Sequence, residues 1–158
     1  MLKSFLRRAA VIAAVVVAAG LWAGAALAIT KTGGEYNTIY AGIGAKGYDP
    51  VAYHTTGKAT PGSDKITQDW KGVTWRFASE DNKKLFVANP EKYAPQFGGF
   101  CAWGVAQGRL FDVDPVNGWR IVDGKLYMNF NADILKLFNA DTNNLVSKAN
   151  TNWTRLNQ

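Results

Sequence analysis

The chain has 158 residues, a formal net charge of +6, one cysteine and one histidine. That length suits one domain with a core of its own. A lone cysteine excludes an internal disulfide, and a small, scattered basic excess argues against a nucleic-acid surface.

The first predicted element is a targeting segment. Lys3, Arg7 and Arg8 precede an apolar run from Ala9 to Ala28 that closes on Ala26-Leu27-Ala28, a small-residue cleavage site. This order defines a secretory signal peptide over residues 1–28. The run is also long enough to serve as an uncleaved inner-membrane anchor. Removing 28 of the 158 residues leaves 130; with Lys3, Arg7 and Arg8 gone and no acidic residue lost, the charge falls from +6 to +3. The expected product is periplasmic or secreted, and it meets a membrane only through this segment if it is uncleaved.

Residues 29–47 are rich in Gly, Thr and Lys and read as an irregular lead-in. Gly42-Ile43-Gly44-Ala45-Lys46-Gly47 lacks the Gly-Lys-Ser/Thr ending of a phosphate loop. Asp49-Pro50 opens a turn, Val51-Ala52-Tyr53-His54 reads as extended, and Thr55 to Asp64 as a loop. Ile66, Gln68 and Trp70 alternate with their neighbours, as do Val73, Trp75 and Phe77. Lys71-Gly72 between them predicts a hairpin turn. Ser79 is a favoured N-cap, with Glu80 and Asp81 where the helix dipole favours negative charge. That helix runs to Ala88, and Asn89 with Pro90 starts a further turn.

Tyr48-Asp49-Pro50-Val51-Ala52-Tyr53-His54, Phe77-Ala78-Ser79-Glu80, Phe86 and Asn89-Pro90-Glu91-Lys92-Tyr93 occur in an order that resembles the YHS domain. That module occurs in copper-transport ATPases, some phenol hydroxylases and many small secreted bacterial proteins. Gly98-Gly99-Phe100-Cys101-Ala102 and Val122-Asp123-Gly124-Lys125-Leu126-Tyr127 resemble its longer secreted branch, which extends the likeness over residues 48–158. The resemblance implies a binding or accessory module linked to metal handling. Its metal-associated members carry cysteines where this chain has Ala52, Ala78 and Asn82, so the thiolates that a soft metal needs are missing at those positions.

Small and aromatic residues from Cys101 to Gly108 predict a tightly packed helix. Phe111 to Gly118 is a loop in which Asp112, Asp114 and Asn117 break the EF-hand spacing, so a solvated turn is expected rather than calcium. Asp123-Gly124 predicts a type I′ hairpin that puts Trp119, Ile121, Leu126, Met128 and Phe130 on one core face. Asn131 and Asp133 open a helix, and Leu145, Ala149, Trp153 and Leu156 mark a last one after Asp141. The sequon Asn152-Trp153-Thr154 falls on that last helix and is discounted.

The expected fold is α+β, with small antiparallel hairpins flanked by short helices. Cys101 and His54 are the candidate site residues. Near a helix start a thiolate gains stability as a nucleophile or ligand, whereas a buried free cysteine is an inert hydrophobe. His54 is a metal ligand, a proton carrier or a hydrogen-bonded structural group. Together they would suit one low-coordinate copper ion or a Cys–His nucleophile pair, with Asp49 and Tyr53 as the nearest polar partners. No structural zinc is expected from one thiol and one imidazole. Three function classes follow: an exported module binding a small ligand, metal ion or periplasmic protein; a thiol-dependent enzyme; or a partner-interaction domain with no active site.

Overall fold

The computed structural model describes residues 35–158, so the expected signal segment lies outside the described residues. Among these residues the fold is α+β, with six helices and two separate two-stranded antiparallel sheets.

The order begins with α1 (Ala52–Thr55), β1 (Ser63–Trp70), β2 (Val73–Phe77), α2 (Glu80–Ala88) and α3 (Pro90–Tyr93). It continues with α4 (Ala102–Ala106), β3 (Trp119–Val122), β4 (Lys125–Met128), α5 (Ala132–Ala140) and α6 (Thr142–Leu156). Both hairpins form in the expected register, with Trp70 opposite Val73 and Val122 opposite Lys125. Lys71 (φ 50°) and Gly72 (φ 74°) close one turn, and Asp123 (φ 50°) and Gly124 (φ 73°) close the other. Positive φ at both central residues is what a type I′ turn requires.

The caps also follow the sequence. Ser79 Oγ accepts from the Asn82 amide at 3.1 Å, Asn89 Oδ1 from Lys92 at 3.2 Å, and Asn131 Oδ1 from Ile134 at 2.9 Å. Each satisfies an amide that the first helical turn leaves without a backbone partner.

The lead-in contributes to the core. Tyr36 and Ala45 are buried, and Ile43 makes a parallel bridge to Thr74 of β2. Tyr36 stacks its ring edge-on to Trp75 at 5.3 Å.

Two apolar clusters fill the molecule. The first holds Tyr53, Trp75, Phe77, Phe86, Cys101, Leu126 and Met128. The second lies around α4 and α6 and holds Phe97, Phe100, Val105, Tyr127, Phe138 and Ala149. Strand β4 divides them, because successive side chains of a strand point to opposite faces. Leu126 and Met128 enter the first cluster and Tyr127 the second. The Cys101 segment runs beside β4 through a parallel bridge to Met128. α4 is short but tightly held, since a Cβ at Gly104 would run into the Phe111 ring. Asn152 of α6 donates to the carbonyls of Val105 and Ala106 at 3.0 Å each, so the sequon side chain is engaged in capping α4.

Two expectations are corrected. Val51 to His54 is not extended: Ala52 to Thr55 form α1, because Asp49 Oδ1 takes the amides of Val51 at 2.8 Å and Ala52 at 3.3 Å and starts a helical turn. Phe130 does not share the core face. It follows the end of β4 and is 38% exposed, while Tyr127, on the other face of the strand, is buried. A strand between two cores has no polar face, so alternation misleads there.

Candidate functional site

Asp49, from the Asp-Pro-Val motif, is fully buried. Besides Val51 and Ala52 at Oδ1, its Oδ2 accepts from the Ala78 amide at 2.8 Å and from Asn82 Nδ2 at 2.6 Å. Four donors from three segments converge on one carboxylate. Ala52, Ala78 and Asn82 all supply one of them, and these are the positions where the resemblance places cysteines. The three positions do meet in space, but around a hydrogen-bonded carboxylate.

Cys101 is the N-cap residue of α4 and is fully buried. Its Sγ accepts from the Gly104 amide at 3.4 Å and lies 3.9 Å from Asn129 Oδ1, to which the thiol donates. Burial pushes the thiol pKa up, against the pull of the Gly104, Phe130 and Trp103 backbone. The helix-start argument for a stabilised thiolate is therefore outweighed by desolvation. Asn129 Oδ1 also accepts from the Trp103 amide at 3.2 Å, while Asn129 Nδ2 is buried with no partner. A cavity of about 70 Å³ adjoins, lined by Cys101, Trp103, Phe111, Phe130 and Ile134.

His54 lies in α1, half-buried, with its ring edge-on to Tyr93 at 5.3 Å. Burial holds its pKa below the ordinary value; Lys92 adds to this, and the Tyr93 backbone opposes it. Its Nε2 is buried without a hydrogen-bond partner. Tyr53, the other nearby candidate, donates its hydroxyl to the Pro115 carbonyl at 2.8 Å and stacks on Trp119. His54 and Cys101 thus occupy different surroundings, the one against α3 and the other against Asn129 and α4.

Sequence reasoning missed a cleft of about 350 Å³. Tyr36, Pro95, Phe97 and Trp153 give it apolar surface, Gln96 and Asn150 give it amides, and Glu35, Lys71, Glu91 and Lys125 give it charge. Lys71 Nζ bridges Glu35 at 3.3 Å and Glu91 at 3.6 Å and lies 4.7 Å over the Trp70 ring. Burial, then the Glu35 and Glu91 carboxylates, push the Tyr36 phenol above its ordinary pKa, so it keeps its proton and remains a donor. Phe97 sits in this wall at φ 52°, a left-handed conformation that costs a bulky residue about 1–3 kcal/mol. No local motif could have flagged the cleft, since its residues come from five separated stretches of chain.

No protein-family model, curated protein or solved structure matches this chain. The site therefore has to be judged on its own donors. Among the described residues, no three His, Cys, Asp or Glu side chains group as a metal would need. Ala52 and Ala78 offer no side-chain ligand, and the Asn82 amide nitrogen is spent on Asp49. Cys101 is buried with its thiol pKa pushed up, and His54 lies in other surroundings, against Tyr93. No helix among the described residues is long and apolar enough to cross a membrane.

Proposed function

We propose that this protein is an exported, YHS-like binding module that holds a small polar ligand in the 35–36/91–98/150–153 cleft, and that neither thiol catalysis nor a soft-metal centre is its purpose. The cleft is the observation that carries this reading. Its volume of about 350 Å³ falls within the range of roughly 300–1,000 Å³ typical of ligand pockets, and it joins aromatic surface to a few polar groups. The thiol-enzyme reading is weakened by the burial and raised pKa of Cys101, since the thiolate is the reactive form.

The test is a thermal-shift screen of small polar metabolites on the purified protein. A ligand held at 100 times its dissociation constant stabilises by about 2.7 kcal/mol, which is readily detected. The expected hit disappears in Gln96→Ala and survives in Cys101→Ala and His54→Ala. A hit that instead depends on Cys101 or His54 would replace this reading with a thiol- or copper-centred one. A screen with no hit at all would favour the partner-interaction class.

A further inference from the structure

The charged groups of the cleft are unevenly paired. Lys71 is shared by two carboxylates, Glu35 and Glu91, which leaves that side with one negative charge in excess. Lys125 lines the same cleft and has no ion-pair partner among the described residues. The lining as a whole is neutral, with two carboxylates and two ammonium groups, and Lys125 stands outside the ion-pair group that Lys71 forms with Glu35 and Glu91. A simple anion would meet Lys125 and also the acidic excess, and a simple cation would meet the reverse. A neutral sugar would leave both charges to water and gain nothing from them. A molecule carrying both charges matches both places.

We infer that the cleft binds a zwitterion, a free α-amino acid or a dipeptide with apolar side chains; this rests on the cleft being the ligand site. The ligand carboxylate meets Lys125, and its ammonium group meets the Glu35–Glu91 pair. The Tyr36 hydroxyl and the amides of Gln96 and Asn150 supply neutral hydrogen bonds. The Phe97 and Pro95 surface takes an apolar side chain, as it would not take a second charge. The size of the cleft sets the upper limit at a short peptide.

Isothermal titration calorimetry tests this with L-leucyl-L-leucine, its N-acetyl form, its C-terminal amide, succinate and glucose as probes. The free dipeptide is expected to bind, and either blocking group to weaken binding at least tenfold. Lys125→Met should lower affinity for the free dipeptide at least tenfold yet leave the weak binding of the C-terminal amide unchanged. Glu91→Gln should act likewise on the free dipeptide and spare the N-acetyl form. Glu91 and Lys125 are exposed, so neither change should unfold the protein. Succinate or glucose binding with loss in Gln96→Ala, and no dipeptide binding, would overturn the zwitterion and leave the cleft as the ligand site. Absence of binding by every probe at millimolar concentration would overturn both.

Discussion

Asp49 and Asn129 are both wholly buried polar side chains, yet they are built into the fold in opposite ways. The Asp49 carboxylate is saturated by four donors, and those donors come from the start of α1, the end of β2 and the first turn of α2. Asn129 is held mainly by its backbone, whose carbonyl accepts from Asp114 and whose amide donates to Gly118. Its side-chain oxygen serves Trp103 and Cys101, and its nitrogen serves nothing. Equal burial therefore hides unequal duty. One side chain organises three segments, and the other is a partly spent group beside a buried thiol.

Substitutions should separate the two. Asp49→Ala leaves four donors without their acceptor, the Val51 and Ala52 amides among them buried, and is expected to cost roughly 3–5 kcal/mol in a denaturant melt. A loss below about 1 kcal/mol would mean that the three segments do not depend on this carboxylate. Asn129→Ala removes one acceptor and one unmet donor together, so a smaller loss of about 1–2 kcal/mol is expected. If the two variants are equally damaging, the contrast between them is wrong.

The imidazole of His54 gives a third, pH-dependent comparison. Its pKa is lower in the folded protein than its ordinary value near 6.5, chiefly through burial. The unfolded chain therefore takes up the proton first. The stability due to neutral His54 is present above the unfolded value and is lost as pH falls through the folded one. Between about pH 7.5 and about pH 5 the wild type should lose more melting temperature than His54→Gln, and equal losses would show that burial does not penalise the charged ring. The smallest effect belongs to Phe130→Ala. At 38% exposure the ring should contribute less than about 1 kcal/mol, and a loss comparable to that of a core phenylalanine would return it to the buried face.

The parts of the fold written in short-range chemistry were legible in the sequence. Lys71-Gly72 and Asp123-Gly124 specify their turns, and Ser79, Asn89 and Asn131 specify where helices begin, because each acts within three residues. The α+β class and the last helix through Leu145 and Ala149 followed from periodicity alone. Helix α1 escaped because it has only four residues and depends on a carboxylate that is also tied to Ala78 and Asn82. The cleft escaped for a stronger version of the same reason: Tyr36, Lys125 and Trp153 become neighbours only after the chain has folded. Cys101 and His54 drew attention by rarity, which says nothing about burial.

Strand β4 gives the two apolar clusters a common boundary. Four residues present Leu126 and Met128 to one side and Tyr127 to the other. Neither cluster can be closed while the strand is out of place, and loosening either side removes support from a side chain that anchors its neighbour. The molecule consequently cannot be divided into two fragments that mature separately. Its loss of structure should be a single cooperative event, in which fluorescence from Trp75 on one side and Trp153 on the other report the same midpoint.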